Sequence, residues 1–307
     1  MQSADLPAAP WRCPAQTMVV AAQWSPSGFA TPPTDRSMTP RSTLAALLCA
    51  ALLAAGCAST TSGSVATGGR GRSQLLLVSS EQVMRQSLQY YDEQNREARA
   101  KGQLVTGGPE WGRVNAIMQR LVPQVAAFRP DAARWPWQLV LIDEDSVNAH
   151  VMAGGKITFY TGLIRKLRLS DDEIAAVMGH EMAHALREHT REKMSQAAAG
   201  DLAIAVGGAL LGVGQGAVQL ASLGKQLAMD LPFSRHMESE ADLYGLELAA
   251  RAGYDPRAAV SLWQKMAQAG GGNGPGFLST HPSAGDRMGQ LQAAMPRVLP
   301  LYEAARA

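Results

Sequence analysis

The residues best suited to chemistry are two histidines and a glutamate in the run His180-Glu181-Met182-Ala183-His184. Because residues four apart lie one turn above each other on a helix, both imidazoles can reach one metal ion. Glu181 then lies beside the metal, where its carboxylate can take a proton from a water that the metal activates. The spacing predicts a hydrolytic metal centre with His180 and His184 as ligands and Glu181 as general base.

A well-started helix is predicted to carry these residues. Ser170 and Glu173 have the spacing of a capping box, and Asp171 and Asp172 add acidic residues to the first turn. Apolar residues recur at helical spacing after them, which predicts a helix from about Asp171 to Gln196. A metal is favoured over simple core packing, because two buried histidines beside a glutamate would be costly to satisfy without one.

A catalytic zinc needs a third protein ligand and one open position. A second helical pattern begins near Glu238 and stops at Gly253. Glu238 and Asp242 share one face, which continues into apolar residues, whereas the face of Glu240 is typical of a solvated surface. Periodicity therefore favours Glu238 over Glu240 as the third ligand. Asp242, one turn later, could accept the outer N–H of a ligating histidine and fix its tautomer.

Three other histidines are not expected to bind the metal. His189 lies five residues past His184 on the same predicted helix and is expected to be solvent-exposed. His236 precedes Glu238 by two residues and should point away from the metal. His150 alternates with Ala149 along a predicted strand and is expected to be an exposed edge residue.

Both motif halves, His-Glu-x-x-His and the later Glu-x-x-x-Asp, make the chain resemble the gluzincin zinc metallopeptidases. That group includes the CAAX prenyl protease and the HtpX, OMA-type, BepA and LoiP proteases, and the length of chain after the active-site motifs resembles the smaller LoiP type. The resemblance covers roughly residues 80 to 295. The further matching runs are Val147-Asn148-Ala149, Gly154-Gly155, Thr161-Gly162-Leu163, Ser234-Arg235 and Thr280-His281-Pro282.

The resemblance implies a zinc metalloendopeptidase with one Zn²⁺ per chain, held by His180, His184 and Glu238. Glu181 would serve as general base, and Asp242 would support a ligand from behind. The mechanism implied is metal-assisted hydrolysis of a peptide bond.

Four more residues take roles from the same resemblance. Arg287 would stabilise the developing oxyanion. Asn148 and Ala149 would lie on an edge strand that pairs with an extended substrate. His281 would occupy the open zinc position in the resting enzyme and leave when substrate arrives. Glycines before it, at 270–272, 274 and 276, would let its loop move.

Coarse patterns predict helices near 81–101 and 110–128 and strands near 138–142, 148–152 and 157–160. The fold class is therefore α+β: a zincin-like, mainly helical domain with a small sheet beside the active-site helix.

Residues 202–224 form a mainly apolar stretch of 23 residues without a charged side chain. Their length is that of a membrane helix, but repeated glycines favour an apolar hairpin over the cleft or at a bilayer surface.

The N-terminal region has the pattern of a lipoprotein signal peptide. An apolar run of 12 residues follows Arg41 and ends at Ala54-Ala55-Gly56-Cys57, which predicts Cys57 as the lipidation site. Twelve apolar residues are too few to span a bilayer. A start at Met38 would give a short basic leader, whereas a start at Met1 adds a Pro-rich segment, and the sequence leaves both open.

This organisation predicts a leader and signal peptide at 1–56, a flexible tether at 57–80 and a catalytic domain at 81–307. Ala58 follows the cysteine, and resemblance to bacterial lipoproteins then implies sorting to the outer membrane, facing the periplasm of a Gram-negative bacterium. Cys57 would be the only cysteine left after processing, so no disulfide within the chain is possible.

Charge and composition limit the function classes. Lys+Arg (28) and Asp+Glu (26) nearly balance, so no basic field marks a nucleic-acid binder. We expect unfolded or misfolded envelope polypeptides as substrates, and outer-membrane assembly machinery as a candidate partner. The alternative is a chaperone-like assembly lipoprotein whose zinc site is structural. The intact Glu181 favours the enzyme, because a structural site has no use for a general base.

Overall fold

The computed structural model describes residues 57–69, 71–211, 232–269, 276–281 and 286–307. Contacts divide the chain into two units. Within the smaller unit, the described residues form an antiparallel ribbon of β1 (Cys57–Ala58) and β2 (Gln74–Leu75). The larger unit contains 59–72 and 77–307. The predicted leader at 1–56 lies outside the described residues.

Two helices precede the three predicted strands, as expected from the sequence. The first, α1, covers Ser80–Ala100, and Ser79 caps it by accepting from the N–H of Gln82. The second, α2, covers Pro109–Leu121 and tightens into a 3₁₀ turn at Val122–Ala127. Pro123 explains the change, because its ring nitrogen has no N–H to continue the helical hydrogen bonds. A second 3₁₀ turn follows at Pro130–Arg134.

A small mixed sheet contains four strands in the order β3-β4-β6-β5. Its parallel central pair is β4 (Gln138–Ile142) and β6 (Lys156–Tyr160). The outer strands β3 (Leu104–Val105) and β5 (Ala149–Met152) pair antiparallel with β4 and β6. Three strands match the predictions, whereas β3 is too short for alternation to reveal it. The predicted edge position of β5 is confirmed among the described strands.

The second half of the larger unit is helical, as the α+β fold class predicts. Its helices are α3 (Thr161–Leu167), α4 (Asp171–Leu186), α5 (His189–Leu211), α6 (Arg235–Arg251), α7 (Ala258–Ala269), the single turn α8 (Phe277–Thr280) and α9 (Arg287–Arg306). No described helix is long and apolar enough to cross a membrane. Most of the ambiguous segment 202–224 lies outside the described residues.

The predicted helix from Asp171 to Gln196 is wrong in length, because two helices occupy this range. The first ends at Leu186, and a left-handed Glu188 (φ 48°) separates it from the second. Glu188 is held by ion pairs to Arg129 (3.2 Å) and Arg191 (2.7 Å). This break changes the direction of the chain just before His189.

The core is built around α4, which packs against α2, α6, α7 and β5. Nearly every residue of α4 after its first turn is buried, including Val177 and Met182. Its closest neighbour is α6, and the two backbones meet where both helices carry a glycine, Gly179 and Gly245. This crossing brings the two halves of the predicted metal motif together.

The segment 59–72 makes ordered contacts with α6, which departs from the flexible tether predicted at 57–80. Ser64 donates to Glu247 Oε2 at 2.5 Å, and Thr61 donates to the Tyr244 hydroxyl at 3.2 Å. Ser64 and Ala66 are fully buried. The segment therefore covers a face of α6 that periodicity alone assigns to solvent.

Candidate metal centre

Side chains from three separate segments meet in one buried cluster. His180 and His184 come from α4, Glu238 from the first turn of α6, and His281 from the residue after α8. One candidate ligand atom from each lies within 4.8 Å of the others. All four side chains are buried. The structure thus brings together the three predicted ligands and His281.

The spacing of these atoms suits a tetrahedral zinc ion. Nε2 of His180 lies 3.1 Å from Nε2 of His184 and 3.3 Å from Nδ1 of His281. Glu238 Oε1 lies 3.4 Å from His184 Nε2 and 3.0 Å from His281 Nδ1. Donors on a zinc tetrahedron with bonds of ~2.0–2.1 Å are ~3.3–3.4 Å apart. Among the described residues, Glu238 Oε2 has no well-aligned hydrogen-bond partner.

Helix ends and helix packing hold the ligands in place. Ser170 and Glu173 form the predicted capping box at the start of α4. Ser234 caps α6 by accepting from the N–H of Met237, which puts Glu238 in the first turn. Hydrogen bonds from the histidines oppose the cost of burial and hold the pKa of Glu238 well below its usual range. Glu238 is thus charged at neutral pH.

Glu181 lies between the cluster and the sheet edge. Its Oε2 accepts from the N–H of Val151 on β5 at 3.1 Å, and its Oε1 lies 3.4 Å from His281 Nε2. Burial raises the pKa of the Glu181 carboxyl, although nearby histidines act in the opposite direction. Its position beside the ligands is the one that the sequence motif requires.

Behind His180 stands a carboxylate that an arginine holds. Asp242 Oδ1 lies 2.9 Å from His180 Nδ1, as predicted for a residue that fixes the tautomer. Arg287 binds both Asp242 oxygens, at 2.6 and 2.7 Å. Burial would lower the pKa of His180, but the hydrogen bonds from Asp242 and Glu238 outweigh it and raise the pKa to about 9.

The position of Arg287 differs from the one expected of an oxyanion-stabilising group. Its guanidinium is engaged by Asp242, lies 3.0 Å from Glu238 Oε2, and stacks over Trp263 with its Cζ 3.7 Å from the ring centroid. The side chain is 5% exposed. The guanidinium thus lies behind the ligands, with its donors directed to carboxylates.

Behind His184 the structure places a second histidine and a second carboxylate. His189 Nδ1 lies 2.9 Å from His184 Nδ1, and His189 Nε2 lies 3.3 Å from Glu240 Oε2. The predicted exposure of His189 and of Glu240 is therefore wrong, since both are buried. The break at Glu188 turns His189 toward His184, and 59–72 covers the face of Glu240. The spacing of residues along the sequence indicates neither the burial of His189 nor that of Glu240. The prediction that His236 points away from the metal agrees with its exposed position.

A cavity of about 250 Å³ adjoins Glu181 and His281. Asn148 lines it, whereas the Ala149 side chain is fully buried and its N–H donates to Asn148 Oδ1 at 2.9 Å. His150 also lines it: its place on the edge strand is as predicted, but its predicted exposure is wrong, because the ring is half-buried with Nε2 3.3 Å from Gln94 Oε1. Burial lowers the pKa of His150 to about 4. The other lining residues include Tyr90, Tyr160 and Phe233.

Comparison with known proteins gives a consistent result. Peptidase family M48 matches residues 110–295, which is more than half of the chain. The mitochondrial metalloendopeptidase OMA1 of Arabidopsis thaliana is 38% identical over 174 residues, which is 56% of this chain and 34% of that protein. OMA1 of Bos taurus is 31% identical over 247 residues, which is 76% of this chain and 46% of that protein. Metalloprotease LoiP of Escherichia coli is 34% identical over 152 residues, covering 48% and 59% of the two chains. The chain therefore spans about a third to three fifths of the length of these relatives.

Proposed function

Because the chain belongs to peptidase family M48, we propose that it is a zinc metalloendopeptidase that cleaves peptide bonds at the buried cluster. The observation that carries this proposal is the meeting of four buried side chains whose donor atoms lie within 4.8 Å of one another, with Glu181 beside them. His180, His184 and Glu238 would hold one zinc ion. When bound, zinc supplies a Lewis acid that makes water more acidic and polarises a carbonyl group.

Glu181 is the proposed general base. Its carboxylate would take a proton from the attacking water and pass it to the leaving amine. The bond from Val151 N–H fixes one carboxylate oxygen, which leaves the other facing the cluster. The raised pKa of Glu181 brings the carboxyl closer to the range in which a group can both accept and return a proton near neutral pH.

Asp242 and Arg287 are proposed to position the ligands. Asp242 accepts from His180 Nδ1, which leaves the lone pair of Nε2 free to face the metal. Arg287 fixes Asp242 through two bonds and lies near Glu238. A bidentate arginine gives this arrangement a single geometry that lysine could not reproduce. This role replaces the oxyanion contact expected from the resemblance.

His281 is proposed to occupy the centre in the resting enzyme. Its Nδ1 contacts Glu238 and His180, and its Nε2 lies 3.4 Å from Glu181. The ring stacks on Phe277 with centroids 4.3 Å apart. The ring thus stands where water and substrate must approach Glu181, so turnover requires the residue to move. The glycines predicted to free this loop, apart from Gly276, lie outside the described residues.

We propose that an extended polypeptide binds along the outer edge of β5, in the cavity beside Glu181. Asn148 would contact it, and Ala149 would contribute backbone only. The N–H of Ala149 donates to the Asn148 side chain, so pairing of a substrate at Ala149 would replace that bond, whereas the Val151 N–H would stay with Glu181. An edge strand recognises backbone more than sequence, which suits unfolded or misfolded substrates.

The proposed setting is the envelope of a Gram-negative bacterium. The signal-peptide pattern at 1–56 and Cys57 support a lipoprotein of the outer membrane that faces the periplasm, with a role in protein quality control. Cys57→Ala should then release a soluble periplasmic protein. An unmodified N-terminus upstream of Cys57, found by mass spectrometry of the mature protein, would refute this address.

Zinc content and proteolysis test the enzyme itself. Glu181→Gln should keep one zinc per chain and lose ~10²–10⁴-fold of the casein-cleaving rate, because the water loses its base. Glu93→Gln, a matched change at an exposed glutamate of α1, should alter neither. Alanine at His180, His184 or Glu238 should abolish zinc binding. Full proteolysis by Glu181→Gln would refute the proposal, and a zinc-loaded wild type that cleaves nothing would favour the structural-site alternative.

A further inference from the structure

The two ligand histidines of α4 are supported in different ways. His180 has a carboxylate directly on its outer nitrogen, with Asp242 Oδ1 2.9 Å from Nδ1. His184 has another imidazole there, with His189 Nδ1 2.9 Å from its Nδ1. Beyond that imidazole lies Glu240, whose Oε2 is 3.3 Å from His189 Nε2. The series of hydrogen bonds behind each ligand histidine therefore ends at a carboxylate: Asp242 behind His180, and Glu240 behind His184.

Hydrogen-bond donors and acceptors admit one arrangement that leaves His184 able to bind a metal through Nε2. Nε2 of His184 faces the cluster, so its proton must sit on Nδ1. That N–H can donate only if His189 Nδ1 carries a lone pair. His189 then has its proton on Nε2, which donates to Glu240. In this arrangement the N–H of His184 Nδ1 faces the lone pair of His189 Nδ1, and the N–H of His189 Nε2 faces Glu240 Oε2.

We propose that Glu240 and His189 form a positioning relay that fixes the tautomer and orientation of His184, and thereby strengthens zinc binding. The relay is the counterpart of Asp242 behind His180. It rests on the zinc site proposed above and adds two residues to it. Neither residue touches the metal position or the substrate cavity, so both act through His184.

Arginines hold the far end of the relay. Arg187 Nη2 donates to Glu240 Oε1 at 2.9 Å, and Arg72 Nη2 donates to Glu240 Oε2 at 2.7 Å. Arg72 also binds Glu192, at the start of α5. Arg187 is fully buried. These bonds fix the Glu240 carboxylate, as Arg287 fixes Asp242, and a fixed acceptor restricts the imidazole that donates to it.

If Glu240 had only a structural role, changing it should affect zinc binding no more than changing another buried, ion-paired glutamate of the same helix. The chain provides a comparison in Glu247, on the same helix two turns after Glu240. It is 1% exposed and binds Ser64, Val65 N–H and Arg251. Among the described residues its hydrogen-bond partners include no histidine, so Glu247 is buried and charged like Glu240 but has no contact that leads to the metal position.

Zinc affinity of the full chain tests the relay, measured by competition with a zinc-chelating dye. Glu240→Gln and His189→Leu should each weaken binding by ~10–100-fold, the usual loss when a residue that orients a metal ligand is changed. His189→Asn keeps an acceptor near the position of Nδ1 and should recover most of the affinity that His189→Leu loses. Glu247→Gln should bind zinc within about two-fold of wild type, whatever its effect on melting temperature.

Histidine ¹⁵N spectra of the zinc-loaded wild type supply a second test that needs no variant. The relay requires His184 protonated at Nδ1 and His189 protonated at Nε2 alone. A His189 proton on Nδ1 would overturn the relay, as would wild-type affinity in Glu240→Gln and His189→Leu. An equal loss in Glu247→Gln would also overturn it. A wild type that binds no zinc would instead refute the proposed site, and the relay with it.

Discussion

The crossing of α4 and α6 sets the distance between the two halves of the metal centre, and Gly245→Ala should disturb it. A Cβ on Gly245 would lie 2.5 Å from the backbone N of His180 and 2.7 Å from the backbone C of Gly179. Both atoms belong to a helix backbone, so no side chain can rotate away. The 2.5 Å contact must lengthen by about 0.9 Å to reach the 3.4 Å at which ordinary contact begins.

A shift of this size matters more to the metal than to the fold. Overpacking a core costs ~1–3 kcal/mol, and the better helix propensity of alanine returns ~1 kcal/mol. The free energy of unfolding should therefore fall by only ~0–2 kcal/mol. Ligand distances in a metal site, in contrast, tolerate ~0.2 Å. Because His180 and Glu238 lie on opposite sides of this crossing, zinc affinity should fall by at least ~10-fold.

Dye competition for zinc and a thermal melt would measure both effects. Gly112→Ala is the matched control, because Gly112 is the fourth residue of α2 and a Cβ there meets no described atom within 4 Å beyond the helix's own backbone. It should raise stability by ~0.5–1 kcal/mol and leave zinc affinity unchanged. Wild-type zinc affinity in Gly245→Ala, with a gain in stability like that of the control, would refute the close-crossing argument.

Three further predictions follow from the site and from α4. His281→Ala should keep zinc and raise basal proteolysis of casein, since the ring no longer covers Glu181; unchanged or lower activity would contradict its proposed resting role. Arg287→Lys should weaken zinc binding several-fold in dye competition, because a lysine cannot hold both oxygens of Asp242; equal affinity would remove its positioning role. Burial opposes ionisation of Glu173, but bonds from Lys265 and the helix cap lower its pKa, so its stabilisation exists above the unfolded-state pKa and is lost as pH falls. Urea titrations should show Glu173→Gln less stable than wild type by ~1–2 kcal/mol at pH 7, with the gap narrowing in acid; a gap that stays constant with pH would contradict this.

Local spacing was enough to predict the part of the site that lies on two helix faces. His180 and His184 are four residues apart, as are Glu238 and Asp242, and each pair lies on one side of its helix. The capping box likewise predicted where α4 begins. Such features depend on neighbours within one or two turns, so sequence periodicity contains them.

The remaining part of the site depends on single-residue and long-range events. One left-handed residue, Glu188, ends α4 and turns His189 inward, and no pattern of apolar residues encodes that change. Glu240 is buried because Arg72 and its segment, about 170 positions earlier, cover that face of α6. The contact of Arg287 with Asp242 could not be predicted from residue spacing, since it depends on how α9 packs beside α6.

The distribution of charge explains why a divalent cation suits the cluster of His180, His184, Glu238 and His281. Glu181, Glu238 and Asp242 surround the ligand histidines, and Arg287 is the arginine that binds among them. This leaves about two negative charges to be matched by a divalent ion when the histidines are neutral. The tendency of His180 to hold a proton, with its pKa raised to about 9, has the same origin. Farther from the metal position, behind His184, Arg72 forms ion pairs with Glu192 and Glu240, and Arg187 forms one with Glu240. Because these two carboxylates are already paired with two arginines, Glu240 can orient His184 through His189 without competing for the metal.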